Sequence, residues 1–498
     1  MAEPGSQRFY RAPCPGCGAP VEFRSAQSLF AVCAYCQSTV VRRGETLARV
    51  GKMAELFDDF SPLQLFASGR IQATPFTLVG RLQYAYEGGR WTEWMAQLDG
   101  GERIGLLSED NGAFVFALPL VPTEPLPPYP HLRVGMTTAV NGRSYTVSSS
   151  QSVSLISAQG ELPRLPELGR RFQAVELRNE QGEVLSLDYD TDPPSAWLGR
   201  AVQLDELQLS GLKDETAREE KGRAFSCPNC GASVTLQLEN SRSITCGNCK
   251  SIIDLKAGIG GELHFAMQDE PVKPLIALGA IGQLQGVPWQ VVGFQHRTGV
   301  APGEDEHFGW NEYLLYNRKR GFSFLVDAED GWSMVAPTSG APKLAANGEQ
   351  ASYLGKTYQL QYAYQAETSY VLGEFYWQVE RGQRTFNRDF ARAGGLLSME
   401  QSPREVTWSS GDRMDSDAVA AAFKLDARKD LFKRADALPV SVAASGMGCG
   451  TIIVILLLLF FLGPLLFSLL FGGVTGSSGG YRSSGGSYGG YSSGGFHK

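Results

Sequence analysis

Residues 14–36 read CPGCGAPVEFRSAQSLFAVCAYC, and residues 227–249 read CPNCGASVTLQLENSRSITCGNC. Each stretch contains two Cys-x2-Cys pairs separated by fifteen residues, and together they hold eight of the nine cysteines in the chain. Two such pairs can supply the four thiolates of a tetrahedral metal site, and this spacing is typical of a zinc ribbon. The repeated frame therefore predicts two zinc ribbons and, with them, two copies of a larger unit.

The predicted metal ligands are all eight cysteines of the two frames: Cys14, Cys17, Cys33, Cys36, Cys227, Cys230, Cys246 and Cys249. Zinc is the default metal for four thiolates, so we expect two structural Zn²⁺ ions per chain, with rubredoxin-like iron as the alternative. A site closed by four cysteines has no open coordination position, which argues against catalytic zinc. Disulfides are a further alternative, but a large chain without a visible secretory signal has little need of them.

The sequence after each ribbon is typical of β structure. Phe76–Tyr86 and Trp91–Leu98 are rich in strand-forming residues and flank a glycine-containing turn. In the second half, Val287–His296 parallels Pro75–Tyr84, and Gly293 stands opposite Gly80. We therefore expect a mainly β fold built from two repeats, each a zinc ribbon followed by an antiparallel β sandwich or barrel.

These patterns divide the chain into nine segments. The predicted segments are zinc ribbons at 8–43 and 224–257, β domains at 61–210 and 270–412, a linker helix at 44–60, a charged linker at 211–223, a juxtamembrane helix at 415–437, a transmembrane helix at 451–471, and a disordered Gly/Ser/Tyr tail at 472–498.

The transmembrane prediction rests on Thr451–Phe471, a run without charged residues. As a helix, this run would be about 31 Å long, close to the thickness of a bilayer core. Four basic residues precede it within the segment 428–434, and only Arg482 follows at comparable distance. The positive-inside rule then predicts a single-pass protein of the cytoplasmic membrane, with most of the chain in the cytoplasm and a short tail outside.

Two tryptophan–glutamate pairs are the candidate ligand or partner face of the β domains. Trp91-x-Glu93-Trp94 in the first half is matched by Trp310-x-Glu312-Tyr313 in the second. In a regular strand, Trp91 and Glu93 share one face, and Trp94 lies on the other. The alternative is a structural role for the glutamate, such as capping a turn or pairing with Arg81.

The sequence does not indicate an enzyme. It contains no phosphate-binding loop, nucleophile elbow, zinc-protease helix or dinucleotide fingerprint. The net charge of −7 argues against a nucleic-acid footprint over the whole surface, although five arginines around the first ribbon leave nucleic-acid binding as an alternative.

The repeated β segments resemble a bacterial domain-of-unknown-function family, number 4178. The resemblance is carried by SPLQL at 61–65, FTLVGR at 76–81 and Trp91-Thr92-Glu93-Trp94, with later motifs at Leu397-Ser398-x-Glu400 and Gly373-Glu374-Phe375. It covers roughly residues 60–210 and 270–412. The first copy departs from the pattern with Asp188 in place of the glutamate and no clear Gly-Glu-Phe, and the second departs with Tyr313.

The resemblance implies no activity, because the family has none established. Its members often pair this domain with zinc ribbons and are encoded near polyamine-synthase-like and small membrane proteins. We expect a membrane-anchored interaction or ligand-sensing protein without catalytic activity. Its expected partners are other proteins, and self-association is a further alternative. The alternatives are an accessory ligand-binding subunit of a membrane-associated, polyamine-related enzyme system, and nucleic-acid binding through the ribbons.

Overall fold

The computed structural model describes residues 10–434, except for twelve short gaps. These gaps are 24–27, 44–45, 53–60, 88, 111, 165–166, 214–222, 239–240, 256–264, 269–271, 304 and 403–404. The transmembrane helix predicted at 451–471 and the tail at 472–498 lie outside the described residues.

No helix within this described part of the chain is both long and apolar enough to cross a bilayer.

The first ribbon consists of five short strands. β1 (Tyr10–Pro13) pairs with β2 (Pro20–Phe23), while β3 (Phe30–Val32), β4 (Ser38–Arg43) and β5 (Thr46–Lys52) form an antiparallel series. The prediction of a helix over residues 44–60 is therefore wrong at Thr46–Lys52, which form β5, and the rest of that segment is not described. The open edge of β4 offers backbone partners to β5, which outweighs the weak helical spacing of a short segment.

The first β domain is a closed barrel with two added edge strands. Its strands are β6 (Ser68–Ile71), β7 (Thr74–Ala85), β8 (Arg90–Leu98), β9 (Arg103–Asp110), β10 (Ala113–Pro119), β11 (Thr137–Val140), β12 (Arg143–Leu162), β13 (Arg171–Arg178), β14 (Glu183–Asp188) and β15 (Ser195–Val202). Around the barrel the order is β7, β8, β9, β10, β15, β14, β13 and β12, and β12 pairs again with β7. Short 3-10 turns occur at Asp99–Gly101, Tyr129–His131 and Leu204–Leu207.

The second half repeats this topology. Its ribbon strands are β16 (Arg223–Ser226), β17 (Ser233–Leu236), β18 (Ser243–Thr245), β19 (Ile252–Asp254) and β20 (Phe265–Ala266). Its barrel and edge strands are β21 (Ile281–Leu284), β22 (Val287–Val300), β23 (His307–Asn317), β24 (Gly321–Ala328), β25 (Gly331–Pro337), β26 (Lys343–Leu344), β27 (Gln350–Tyr353), β28 (Lys356–Phe375), β29 (Arg384–Arg392), β30 (Gly395–Gln401) and β31 (Val406–Met414). β28 closes this barrel against β22, as β12 does against β7.

Paired glycines explain how each barrel closes. Gly80 on β7 lies opposite Gly160 on β12, and Gly293 lies opposite Gly373 in the second barrel. A Cβ atom at Gly80 would lie 1.9 Å from the backbone oxygen of Glu161, and Gly160 has a φ of +74°. Only glycine fits such a close approach of two strands. The match between Gly80 and Gly293 in the sequence therefore marks the seam of each barrel.

The ribbons are continuous with the barrels. Beyond the seam, the end of β12 pairs with β3, with Gly160 opposite Val32. In the second half β28 pairs with β18, with Phe375 opposite Ser243. Each ribbon thus extends the sheet of the barrel that follows it in sequence.

Alternate residues of the barrel strands form separate inner and outer cores. In the first barrel, Trp91, Met95 and Leu106 belong to the inner core, whereas Trp94 and Leu107 belong to an outer core. This is the alternation expected of a strand with both faces buried. The predicted separation of Trp91 from Trp94 is confirmed.

The segment after β31 packs on the second barrel. α1 (Ser416–Ala422) is capped by Asp415, and a 3-10 turn follows at Asp426–Leu431. Trp332 Nε1 donates to the backbone oxygen of Phe432 at 2.8 Å. One continuous helix over 415–437 is therefore wrong, because the backbone turns into the left-handed region at Lys424 (φ +58°).

The two halves contact each other through the turn between β13 and β14. The backbone N–H of Ala341 donates to the oxygen of Asn179 at 3.0 Å, and that of Leu354 donates to the oxygen of Glu180 at 2.9 Å. The tip of a first-barrel hairpin thus binds the backbone of the second half.

Candidate metal centres and barrel interiors

Each ribbon gathers its four predicted cysteines into one cluster, in which all Sγ atoms lie within 4.8 Å of one another. Sγ–Sγ distances of 3.7 Å join Cys14 to Cys36, Cys17 to Cys33, Cys227 to Cys249, and Cys230 to Cys246. Sulfurs placed tetrahedrally about 2.3 Å from a metal would be about 3.8 Å apart, whereas a disulfide bond is about 2.05 Å long. Each cluster could hold one metal ion, and the described cysteines are free of disulfides.

Backbone geometry turns the sulfurs of each pair toward one point. Every Cys-x2-Cys turn is followed by a residue with positive φ: Gly18, Gln37, Gly231 and Lys250. In the first turn, the N–H of Gly18 donates to the oxygen of Cys14 at 2.8 Å. The glycines after Cys17 and Cys230 therefore meet a conformational requirement of the turn.

A serine contacts the last cysteine of each cluster. Ser38 Oγ lies 3.2 Å from Cys36 Sγ, and Ser251 Oγ lies 3.3 Å from Cys249 Sγ. These hydrogen bonds lower the pKa of both thiols to about 6. A lowered pKa favours the thiolate, which is the form that binds metal. These serines were not predicted from the sequence, although the last cysteine of each frame begins a shared Cys-x-Ser.

Glu374 fastens the second ribbon to its barrel. Its carboxylate accepts hydrogen bonds from the backbone of Gln237 (2.7 Å) and Leu238 (2.8 Å) and from the hydroxyl of Ser241 (2.8 Å). Since Gly160 and Gly373 occupy the same place at the two seams, Gly160-Glu161-Leu162 is the first-copy counterpart of Gly373-Glu374-Phe375. The first copy therefore has no Gly-Glu-Phe, as expected, but it carries a variant of this motif in which leucine replaces the phenylalanine.

Both predicted tryptophan–glutamate pairs lie inside a barrel. Trp91 Nε1 donates to Glu93 Oε1 at 3.1 Å, and Trp310 Nε1 donates to Glu312 Oε1 at 2.6 Å. All four side chains are buried. Each pair is a fixed polar group on the inner wall of its barrel.

Arg81, the partner considered for Glu93, lies on the other side of the wall. It stands opposite Trp94, and its guanidinium carbon is 4.9 Å from the centroid of that ring. Leu82, the next residue, is the one opposite Glu93. The strand alternation thus separates Arg81 from the barrel interior.

A buried arginine occupies the interior of the second barrel. The guanidinium of Arg297 donates to both carboxylate oxygens of Glu400, at 3.1 and 3.2 Å, and to Thr385 Oγ1 at 2.8 Å. Its Nη1 atom also lies 3.8 Å from Glu312 Oε1. Burial lowers the pKa of Arg297, but the carboxylates of Glu400 and Glu312 outweigh burial and raise it overall. One guanidinium thus bridges two buried glutamates.

Aromatic side chains fill the space beside this arginine. The rings of Phe322 and Tyr376 are 4.2 Å apart, and those of Phe324 and Trp377 are 6.0 Å apart, measured between centroids. Phe324 and Trp377 are each only 1 % exposed. This part of the second barrel is a packed core.

The first barrel contains a cavity of about 910 Å³. Its inner lining includes the buried side chains of Glu93, Asp188 and Leu106. Its outer lining includes Arg103 and Arg170, whose side chains are more than half exposed. The cavity therefore runs from the barrel interior to solvent, between the turn before β9 and the segments that follow β12 and β14.

Register-matched positions explain why the two interiors differ. Because the seam glycines align, each inner residue of one barrel has a counterpart in the other. Four aromatic residues of the second barrel are replaced in the first: Phe322 by Ile104, Phe324 by Leu106, Tyr376 by Pro163, and Trp377 by Arg164. Four polar positions also correspond: Arg297 to Tyr84, Thr385 to Phe172, Glu312 to Glu93, and Glu400 to Asp188. Smaller apolar residues replace three of the four aromatic ones, and the fourth is replaced by an arginine at the rim.

That arginine is held by an acid of the cavity mouth. Arg164 Nη1 lies 2.5 Å from Asp190 Oδ2, and the Arg164 side chain is about half exposed. Burial lowers its pKa, but Asp190 and Asp188 act in the opposite direction and raise it overall. Burial also raises the pKa of Tyr84 well above its usual value, and Glu93 and Asp188 raise it further. The carboxylates thus impose a negative potential on the cavity.

Only part of this site was predicted from the sequence. Glu93 and Glu312 were predicted as site residues, whereas Asp188 and Glu400 were noted only as motif positions. The available signal was that an acid ends the same short motif in both halves, Leu185-Ser186-Leu187-Asp188 and Leu397-Ser398-Met399-Glu400. Asp188 is one methylene shorter than its counterpart but retains the carboxylate.

The geometry defines a protein with two β-barrel domains, each joined to a four-cysteine ribbon. The chain belongs to the domain-of-unknown-function family DUF4178, whose model matches residues 67–204 and 277–416. The two matches together cover more than half of the chain, and each lies within one barrel-containing segment. Neither match includes the cysteine frames.

No curated protein and no solved structure gives a significant match to this chain.

Proposed function

We propose that this protein is a membrane-anchored, ligand-binding protein of the cytoplasmic face, in which the first barrel holds a small molecule. The observation that supports this function is the cavity of about 910 Å³ in the first barrel, at a place where the second barrel carries packed aromatic side chains. Small-molecule sites usually have volumes of about 300–1,000 Å³ and combine apolar walls with a few polar groups. The anchor is the apolar run Thr451–Phe471.

The two ribbons serve as structural zinc sites in this proposal. Four cysteines close each site, and the cluster geometry suits a tetrahedral ion. The first ribbon pairs with the end of β12, only a few residues before Arg164 at the rim. A metal-held ribbon would therefore fix one side of the cavity mouth.

Binding is favoured over catalysis by the composition of the cavity. Among the described residues that line it, there is no histidine, cysteine or lysine. Histidine is the most common general acid or base in enzymes, and cysteine and lysine are common nucleophiles when their pKa is lowered. The second barrel then acts as the structural partner of the first.

The test is binding of a neutral apolar dye, N-phenyl-1-naphthylamine, to the full-length protein, measured by dye fluorescence. The wild type should bind about one dye per chain. Ile104→Phe combined with Leu106→Phe introduces the side chains of the second barrel and should weaken dye binding at least tenfold. Ile281→Phe, at a residue 64 % exposed on the second half, is the matched control and should bind dye like the wild type.

Two results would contradict the proposal. One is a wild-type protein that does not bind the dye. The other is a double variant that binds it as tightly as the wild type does, which would place the dye outside the cavity.

A further inference from the structure

We propose that the ligand of the first barrel is an organic cation, with a guanidinium or primary ammonium group carried on an apolar body. This inference rests on the proposed function and adds the chemical class of the ligand. It places the cationic group near Glu93 and Asp188, next to Tyr84.

The second barrel shows what the matched carboxylates bind. There, Glu400 accepts two hydrogen bonds from the guanidinium of Arg297, and Glu312 lies within ion-pair distance of the same group. All three side chains are at most 2 % exposed. Two acids on opposite parts of the inner wall are thus arranged around one cation that the chain itself supplies.

The first barrel keeps these two acids but has no arginine at the position of Arg297. Its rim arginine, Arg164, pairs with Asp190, and Asp188 and Glu93 also help to raise the pKa of Arg164. Glu93 and Asp188 occupy the register positions of Glu312 and Glu400, while Tyr84 stands where Arg297 does. All three residues line the cavity. A cation that enters from solvent would occupy the place that the Arg297 guanidinium fills in the second barrel.

The charge of the whole lining selects against an anion. Five carboxylate side chains and three guanidinium side chains line the cavity. Each of the three arginines already contacts an acid: Arg103 contacts Asp99, Arg164 contacts Asp190, and Arg170 contacts Glu167. An anionic ligand would therefore meet a net negative wall, whereas a cation would be attracted to it.

The remaining wall determines the body of the ligand. Leu82, Met95, Leu106 and Leu155 are buried apolar residues of the lining, and Phe172 and Trp197 add aromatic faces. These groups offer no hydrogen bonds to a polar chain, apart from the indole N–H. The complementary ligand is amphipathic, with one charged end near Glu93 and an aliphatic or aromatic remainder.

Four probes that share a 2-phenylethyl group test the charge preference. They are 2-phenylethylamine, 2-phenylethylguanidine, the neutral 2-phenylethanol and the anionic 3-phenylpropanoate. Each is used to displace N-phenyl-1-naphthylamine from the full-length protein. The two cations should displace the dye at concentrations at least tenfold lower than the alcohol requires, and the anion should be the weakest competitor.

Four variants locate the preference in the first barrel. Glu93→Gln and Asp188→Asn should each weaken binding of the cations at least tenfold while leaving the alcohol and the dye unchanged, which also shows that the barrel is folded. Glu312→Gln, the same change at the matched position of the second barrel, should leave cation binding unchanged. Tyr84→Arg combined with Phe172→Thr supplies the internal cation and should abolish the preference for cationic probes.

The outcomes separate this inference from the proposed function. If the dye binds but cations compete no better than the alcohol, the assignment of a cation is overturned and the ligand-binding function stands. A preference that persists in both Glu93→Gln and Asp188→Asn also overturns the assignment. If the dye does not bind to the wild type at all, the proposed function fails together with the inference.

Discussion

The two barrels share one wall but differ in what they enclose. Both close through a glycine pair, both carry a buried tryptophan–glutamate pair, and both keep an acid on β14 or its counterpart β30. One interior is packed around Arg297, and the other contains a cavity of about 910 Å³. The comparison shows that the wall and its contents are constrained separately.

The wall is constrained by backbone contacts. Substitution of Gly80 would place a Cβ against Glu161, and substitution of Gly293 would place one 2.8 Å from the oxygen of Glu374. The interior is constrained only by volume and by the pairing of polar groups. A few exchanges, such as Leu106 in the place of Phe324, are therefore enough to convert a packed core into a cavity without changing the fold.

The largest expected effect concerns a feature that both halves share. If the ribbons are equivalent zinc sites, the wild type should contain two zinc ions per chain, and Cys33→Ser or Cys246→Ser should each reduce the count to one. Structural zinc contributes on the order of 10 kcal/mol in isolated zinc modules, so the affected ribbon should also become protease-sensitive. Metal content by elemental analysis and limited proteolysis of the full-length protein provide the measurement.

Cys449→Ser is the control for this experiment, because the ninth cysteine lies outside both frames. Its metal content should remain at two. A wild type with one metal, or with iron in place of zinc, would show that the two ribbons differ or that the metal is misassigned.

The next effect tests the ion cluster of the second barrel. Arg297→Met removes the guanidinium and leaves Glu312 and Glu400 buried without it, which should destabilise this barrel by about 3–5 kcal/mol. Arg384→Met, in the same barrel, is the control. Its guanidinium pairs with Glu367 but is 73 % exposed, so the cost should stay below about 1 kcal/mol. Urea denaturation followed by tryptophan fluorescence gives both values.

A small effect of Arg297→Met would mean that the second barrel tolerates unpaired acids. The cluster around Arg297 would then not support a preference of the matched acids in the first barrel for a cation. Adding Glu400→Gln to Arg297→Met should recover part of the lost stability, because it removes one of the charges left behind.

The sequence predicted the repeated organisation well because the relevant signals are local. Cysteine spacing, glycines and alternating strands each lie within a few residues, and they led to the two four-cysteine clusters and the mainly β fold. The helix over 44–60 failed because the partner of Thr46–Lys52 is the edge of β4, which no local pattern reveals. The helix over 415–437 failed for a related reason, since contacts with Trp332 shape that segment.

The cavity could not be predicted because it depends on residues far apart in sequence. Leu106, Arg164 and Asp188 each look ordinary alone, and their arrangement emerges only from the register of the closed barrel. The internal repeat contained the necessary information, because Phe324 occupies the position of Leu106 and Arg297 occupies the position of Tyr84. Using it required an alignment fixed by the seam glycines rather than by sequence similarity.

The smallest effect comes from exchanging one pair of matched residues. Phe324→Leu removes buried ring atoms from the second barrel and should cost about 1–1.5 kcal/mol, less than the 3–5 typical of Phe→Ala. Leu106→Phe adds a ring to the first barrel, where the cavity can accept it, so its stability should stay within about 1 kcal/mol of wild type. The free energies of unfolding of the two single variants give the comparison.

Packing arguments make the Leu106→Phe result decisive for the comparison of the barrels. In a filled core, such an enlargement costs about 1–3 kcal/mol because neighbours must leave their preferred rotamers. A cost near the upper end of that range would show that the first interior is packed like the second. A cost near zero, together with weaker dye binding, would show that the same ring completes a core in one barrel and occupies a ligand site in the other.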